Sequence, residues 1–489
     1  VVKYILRFFF ALAGGCFTLA VSAQNELDAL RYSTIEPIGN ARFAGMAGAF
    51  SAVGGDLASA SWNPAGIGLY RRNDLTLSFA VSGLTTRSDY NGSENRGSKY
   101  AFHIPNAGMA VANKYDHPDW VFVNYAVTFN KLQNFNQRTV IRGNEFNNTL
   151  LNVYMNQANG TPFDQLAANQ PFGAGLAWNT FLLDTIPGTI DQYITAIPFG
   201  KVTQEMTIET SGHMSETAVS LGGNYRDRLY LGGTIGFPSV RYNQTTTYRE
   251  FDTEDQVDLQ DYTFTDELVI TGSGLNIKLG AIYRASKWLR VSAAWHSRTG
   301  FALNDVWDSR MLSNFTVLGS YDDAVQGAFD YRVSTPSRTI LGAAFILGRA
   351  GLISADYERI NYGQAELRRS NVSGSTYDFE VENDVISTIY RATHNVRVGT
   401  EWRLMKVFRA RGGFAFQQNP YVPGATSINT HLLTGSIGFG YRGKSVYAEF
   451  AYQHRNNARE FYIYDPALVN AAELRQNKGE AIITVGLRY

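Results

Sequence analysis

The sequence predicts an all-β protein, a 14-stranded antiparallel transmembrane β-barrel with an N-terminal plug (hatch) inside the lumen. Three observations lead there. Segments that alternate apolar and polar residues recur from residue 75 to the end of the chain. Short turns and long polar stretches take turns in joining them, as they do in barrels that cross a membrane. Ahead of the first segment lies a run of small residues with too little periodic apolar surface to build a core of its own.

Composition agrees. A chain of 489 residues is too long for one ordinary soluble core. With 43 basic against 43 acidic residues, no electrostatic argument points to nucleic acid. The 28 Tyr and 30 Phe suit aromatic girdles, and the 46 Gly suit a crowded interior. No apolar run after residue 23 reaches the roughly 20 residues that a spanning helix needs.

Residues 1–23 read as a signal peptide, with Lys3 and Arg7 first, an apolar centre from Phe8 to Leu19, and Val21-Ser22-Ala23 before the cut. The only cysteine, Cys16, lies inside it. A lipoprotein site at Ala13-Gly14-Gly15-Cys16 is the weaker reading, because no leucine sits three residues before the cysteine.

Residues 24–70 are the expected plug. Gly45, Gly48, Phe50, Trp62, Asn63, Pro64, Ala65 and Gly66 are its candidate gate residues. The glycines permit sharp turns and close approach, and Pro64 drives Asn63 out of the helical region. No Gly-Lys-Ser/Thr ends this run, and Gly45-x-x-Gly48 is not a dinucleotide fingerprint, so the segment is not read as a nucleotide site.

Two blocks, Gly45-Met46-Ala47-Gly48-Ala49-Phe50 and Trp62-Asn63-Pro64-Ala65-Gly66, resemble in order and spacing the start of the outer-membrane long-chain fatty-acid transporters (the FadL-like family, including toluene and xylene channels). Gly54-Gly55 ahead of Asp56 departs from that pattern, which more often has Ala or Asp there. The resemblance implies fourteen strands, localisation in the bacterial cell outer membrane, and passive uptake of a hydrophobic small molecule such as a long-chain fatty acid. It implies no cofactor.

Residues 71–489 are the expected barrel. Leu75, Leu77, Phe79 and Val81 share one face against Thr76, Ser78, Ala80 and Ser82. The same alternation marks Val121–Asn130, Leu275–Arg284, Val396–Arg403 and Phe408–Gln417. Six short turns are expected at Asn113–Asp119, Arg226–Arg228, Ala285–Lys287, Gly348–Gly351, Leu404–Lys406 and Gly443–Ser445. Seven long loops are expected near 87–98, 132–213, 251–264, 302–336, 368–387, 419–428 and 464–477. The chain closes on Ala481, Ile483, Val485, Leu487 and Tyr489 on one face, which resembles the terminal strand recognised by the barrel-insertion machinery.

Within the long external loop at about 132–213, Phe163, Leu166, Trp178, Phe181 and Leu182 fall at helical spacing. Two helices are expected there, as a lid or as a groove that captures an apolar ligand. Pro105 cannot donate to a ladder, so Pro105 and Gly108 mark a strand break. The resemblance implies lateral escape at a kinked third strand, but Trp120 to Asn130 holds no glycine, so Pro105 and Gly108 are the substitute candidates.

No catalytic constellation and no metal-ligand spacing appears, so no enzyme and no metal site is expected. The run Glu250, Asp252, Glu254, Asp255, Asp258 and Asp261 lacks the order of a calcium loop and reads as a solvated outer loop. Asp356, Glu358, Arg397, Glu401, Arg409, Arg411 and Glu449 are expected to pair across strands in the lumen. Outer-membrane lipid, lipopolysaccharide and the insertion machinery are the expected partners of a monomer. The alternatives are a secretion-associated or structural outer-membrane barrel, and a haem-uptake receptor using His103 or His213.

Overall fold

The computed structural model describes residues 26–489 except 147, 198–200, 253–257, 371–376, 427 and 429. The expected signal peptide with Cys16, and Glu254 and Asp255 of the acidic run, lie outside the described residues. Fourteen wall strands close into an antiparallel barrel. They are β1 (Asp74–Tyr90), β2 (Ser93–His103 and Asn106–Lys114), β3 (Trp120–Asn134 and Gln137–Phe146), β4 (Lys201–Tyr225), β5 (Leu229–Asp252), β6 (Leu259–Arg284) and β7 (Leu289–His296 and Gly300–Phe315). The ring continues through β8 (Gly319–Ser334 and Arg338–Leu347), β9 (Gly351–Asn361 and Glu366–Arg369), β10 (Ala392–Arg403), β11 (Phe408–Gln417), β12 (Leu432–Arg442), β13 (Val446–Phe461) and β14 (Ala472–Arg488). β14 returns to β1 over the register Asp74↔Arg488 to Asp89↔Glu473, which closes it.

The side-chain period of two sorts the residues. Leu75, Leu77, Phe79 and Val81 are 37–51% exposed on the outer face, while Thr76, Ser78, Ala80 and Ser82 are buried inward. Ile277, Leu279, Val398, Phe414, Phe439 and Ile483 extend this apolar exterior around the ring. A contiguous belt of that kind needs an apolar medium to cover it.

One end, called the turn end below, carries the six short connections at the positions the sequence predicts. The other, the loop end, differs from expectation. The stretches 87–98 and 302–336 are not loops but extensions of paired strands. β1 and β2 meet at a two-residue turn, Asn91-Gly92, with φ of 49° and 78°. Positive φ at both positions is what a tight hairpin requires. Beyond the apolar belt both faces of a strand are polar, as at Thr245, Thr246 and Thr247, and the alternation vanishes while the hydrogen-bonded ladder continues.

The expected loop at 132–213 is likewise shorter, because β3 runs on to Phe146 and β4 begins at Lys201. Between them, among the described residues, stand three helices, not two: α1 (Leu150–Ala158), α2 (Phe163–Asn169) and α3 (Ala174–Asn179). They form a cap that packs on Tyr90, Ile141, Tyr248, Tyr262 and Met311 of the wall. Glu250 belongs to this joint and is not a solvated loop residue. It is fully buried and accepts from Leu150 N at 3.2 Å, Gln204 Nε2 at 2.9 Å, Tyr262 OH at 2.8 Å, and the hydroxyls of Thr149 and Tyr248. Buried carboxylates require such partners.

Candidate functional site

Residues 26–70 occupy the lumen, gripped by inward-facing side chains from strands all around the ring. Asn124 on β3 donates to Ile67 O and Tyr70 O, both at 2.9 Å. Thr234 on β5 reaches Ala60 O at 2.9 Å, and Gln453 on β13 reaches Ala44 O at 2.8 Å. Ala41 N donates to Thr484 Oγ1 on β14 at 2.8 Å.

The two sequence blocks of this segment meet on one carboxylate. Asp356 on β9 accepts from Phe50 N and Ser51 N, both at 2.9 Å, from Ser51 Oγ at 2.7 Å and from Trp62 Nε1 at 3.3 Å. Trp62 and Phe50 both pack edge-on against Phe43, at 5.5 and 5.7 Å. His296 on β7 lies 2.9 Å from Trp62 O, and the Arg397 guanidinium sits 4.7 Å over the indole.

Asn63 caps the short 3-10 helix Pro64–Leu69. Its Oδ1 accepts from Ala65 N at 3.2 Å, and its Nδ2 donates to Ser51 O at 2.8 Å and to Ala281 O of the wall at 3.4 Å. The wall makes room for it. A Cβ on Gly280 would stand 1.9 Å from Asn63 Oδ1, and one on Gly232 would stand 2.3 Å from the Pro64 carbonyl carbon. Gly66 closes the turn by donating to Asn63 O at 2.9 Å. Gly45 lies against Gly438 of β12, and Gly48 takes a φ of 76°.

Above this segment, towards the loop end, is a chamber of about 650 Å³. Leu30, Ile35, Phe135, Leu268, Trp307 and Phe461 give it apolar walls, and Arg31, Arg455, Arg459 and Lys478 are its cations. Glu36 of the N-terminal segment takes Lys478 Nζ at 2.6 Å and Arg455 Nη1 at 2.7 Å. Burial pushes the Glu36 carboxyl up, but the two cations outweigh it and hold the group below its ordinary value. Arg31 pairs with Asp28. Arg459 has no carboxylate within 4 Å among the described residues, and its Nε is buried without a hydrogen-bond partner.

The chamber borders a seam in the wall. β2 breaks at Ile104-Pro105 and resumes at Asn106, while Gly108 stays in the ladder opposite Thr76 and Thr128. β3 breaks too, at Phe135-Asn136, beyond the Trp120–Asn130 stretch read from sequence and with neither glycine nor proline at the break. There Asn134 Oδ1 accepts from Asn136 N at 3.3 Å, a local bond that competes with the ladder. Below the breaks β2 and β3 are paired from Asn106↔Asn130 to Lys114↔Phe122. Above them, among the described residues, β2 pairs only with β1 and β3 only with β4. Side chains bridge the seam instead, with Asn95 Nδ2 reaching Arg142 O at 3.0 Å and Asn91 Nδ2 reaching Asn144 O at 2.9 Å. Leu84, Asn134, Phe135 and Gln137 beside the seam line the chamber.

Solved structures share this architecture. A Pseudomonas aeruginosa FadL homologue matches with a TM-score of 0.57 at 11% identity, over 94% of this chain and 99% of that one. The P. putida toluene transporter TodX matches with a TM-score of 0.52 at 11% identity, over 94% and 99%. The fold is that of the FadL-like channels. No family model and no curated protein matches the chain.

On this FadL-like barrel the five loop residues divide. Leu166 and Leu182 are fully buried inside the cap. Phe163 stacks on Trp178 at 5.8 Å, and Trp178 meets Tyr193 edge-on at 5.7 Å. Phe181 is exposed and touches Tyr321 at 4.5 Å between ring centres. Among the luminal charges, Glu358 joins Arg338 and Arg397, Glu401 joins Arg42 and Arg411, and Glu449 joins Arg411 and Arg442. Two do not follow the expected pairing: Asp356 holds the N-terminal segment, and Arg409 donates only to carbonyls of its own turn. His103 Nε2 is 2.9 Å from Glu480 Oε1. Sequence reasoning missed Gly232, Gly280 and Arg459. A glycine inside a strand was the available signal for the first two.

Proposed function

We propose that this protein is an outer-membrane channel for passive uptake of hydrophobic compounds, long-chain fatty acids among them. The chamber carries the reading: a luminal cavity over a pinned N-terminal plug, whose lining mixes apolar side chains with polar ones and, among the described residues, holds one arginine unmatched by acid. Lipopolysaccharide hinders direct partition of such solutes, so a protected route replaces an open pore. Phe163, Trp178 and Phe181 on the cap are the capture surface, and the chamber receives the chain. Burial supplies roughly 0.8 kcal/mol per methylene, enough to draw a long chain from water. Arg459 takes the carboxylate of an acidic ligand, since a half-buried guanidinium lacking a counter-charge favours an anion. The seam between β2 and β3 offers exit into the bilayer, and the plug closes the axial path. The strand ending at Tyr489 fits handling by the barrel-insertion machinery.

Mass spectrometry of lipids retained by gently purified protein tests this. Wild type is expected to retain long-chain acids or other apolar molecules, and Arg459→Gln to retain fewer acids with apolar neutral compounds unchanged. Retention of neither, together with a large ionic conductance in planar bilayers, would make the protein an open porin.

A further inference from the structure

At the turn end, on the opposite side of the N-terminal segment from the chamber, lies a second cavity of about 470 Å³. Among the described residues its lining holds nine arginines and one acidic residue, Glu401, which Arg42 and Arg411 already engage. Four of the nine have a carboxylate partner: Arg42 with Glu401, Arg71 with Asp227, Arg442 with Glu449 and Arg488 with Asp74. The other five, Arg72, Arg290, Arg349, Arg403 and Arg409, have no carboxylate within 4 Å among the described residues.

This is the reverse of the lumen above, where Glu358 and Glu449 each bind two arginines. The five arginines come from separate parts of the chain: the entry to β1, the start of β7, the turn from β8 to β9, the end of β10 and the start of β11. Folding therefore gathers like charges into one concavity, where repulsion is unfavourable unless an anion joins them. Some are occupied by backbone. Arg290 donates to Val53 O at 3.1 Å, Arg72 to Lys444 O at 3.3 Å and Arg409 to Phe408 O at 2.8 Å. Arg349 and Arg403 make no hydrogen bond through their guanidinium groups among the described residues, and both are exposed. Val53, Leu69, Ile346 and Leu352 add an apolar floor to the same cavity.

We infer that this cavity binds an amphiphile by its anionic head, a carboxylate or a phosphate ester, with the tail against the apolar floor. Guanidinium groups match both heads through paired N–H donors. The head comes either from a free fatty acid or from an anionic phospholipid. The proposal adds a second site to the uptake reading, and one experiment reads the two sites separately.

The full protein in phosphatidylcholine nanodiscs is exposed to a photoreactive long-chain fatty acid, or to the same chain ending in an alcohol, and labelled peptides are mapped. The acid is expected to label peptides spanning 53–72 and 346–352. The alcohol, or Arg349→Gln with Arg403→Gln, is expected to reduce that labelling about tenfold, equivalent to about 1.4 kcal/mol. Arg349→Lys with Arg403→Lys should restore part of it. Retained heat-dependent gel mobility of the barrel checks folding of each variant. Competition by phosphatidylglycerol in the disc assigns the head to lipid, and its absence assigns it to the free acid. Equal labelling by acid and alcohol, no effect of the Gln pair, or full competition by millimolar inorganic phosphate overturns the inference. Loss of labelling around the chamber alone counts against the uptake reading and leaves this one standing.

Discussion

Asp356 on the barrel wall takes both the backbone N–H of Ser51, at 2.9 Å, and its hydroxyl, at 2.7 Å. With Phe50 N and Trp62 Nε1 on the same carboxylate, one side chain ties the turn at Phe50-Ser51 to the indole of Trp62 within the N-terminal segment. Its removal strands several buried donors at once, each costing about 1–3 kcal/mol. Asp356→Ala is therefore expected to raise hydrogen exchange across residues 46–62 and to raise ion conductance in planar bilayers. A variant with wild-type exchange and conductance would show that the segment is held elsewhere.

The Asn63 turn and the wall at Gly280 form the second anchor, and they can be attacked from either side. Asn63→Ala loses the cap on Ala65 N and the bond to Ser51 O, a loss of about 1–3 kcal/mol if the partners stay unsatisfied. Gly280→Ala leaves every hydrogen-bonding group present but puts a methyl where Asn63 Oδ1 lies. Both variants should increase exchange at residues 59–70 to a similar extent, and the double variant should add little to either. Full additivity would mean that the two positions act independently.

The Glu36 site predicts a pH response. Its carboxyl is held below the ordinary value of 4.5 in the folded protein because Lys478 and Arg455 outweigh the effect of burial. A lowered folded pKa stabilises above the unfolded value and is lost as pH falls through the folded one. Wild type should protect residues 26–38 better than Glu36→Gln at pH 7, after correction for intrinsic exchange rates. That advantage should shrink as pH drops below about 4.5. An advantage that does not shrink at any pH below about 4.5 would mean that the ion pairs do not hold this stretch.

How much of this was legible in the sequence follows from which environment each residue meets. Leu75 to Ser82 face apolar surroundings on one side and the packed lumen on the other, so their alternation is strong. Thr245 to Thr247 continue the same ladder where neither face is apolar, and the signal disappears although the strand does not. The block Trp62–Gly66 could be found because its turn chemistry is local. Asp356 could be named as luminal, but its role depends on Ser51, a contact between residues 305 positions apart that no local pattern encodes. Arg409 looked like any other luminal charge and Arg459 was not singled out, since only the assembled ring shows which arginines lack an acid.

The seam yields the last prediction. β2 and β3 are joined above Pro105 by side chains where a ladder would stand elsewhere. Asn95 Nδ2 to Arg142 O is one such bridge, and Ser88 Oγ to Val140 O fixes the same part of β3 from β1. Side-chain bonds of this kind contribute about 0.5–1.5 kcal/mol each, far less than a run of paired backbone. Asn95→Ala with Ser88→Ala should therefore increase exchange at residues 137–146 while leaving Asn106–Lys114, which remains in its ladder, unchanged. If the seam is the exit, the same variant should release a preloaded fluorescent fatty acid into the surrounding bilayer several-fold faster. Its conductance to ions should stay low, because the segment in the lumen is untouched. Faster exchange at the seam with unaltered release would separate the local weakness of the wall from the path of the ligand and refute the lateral exit.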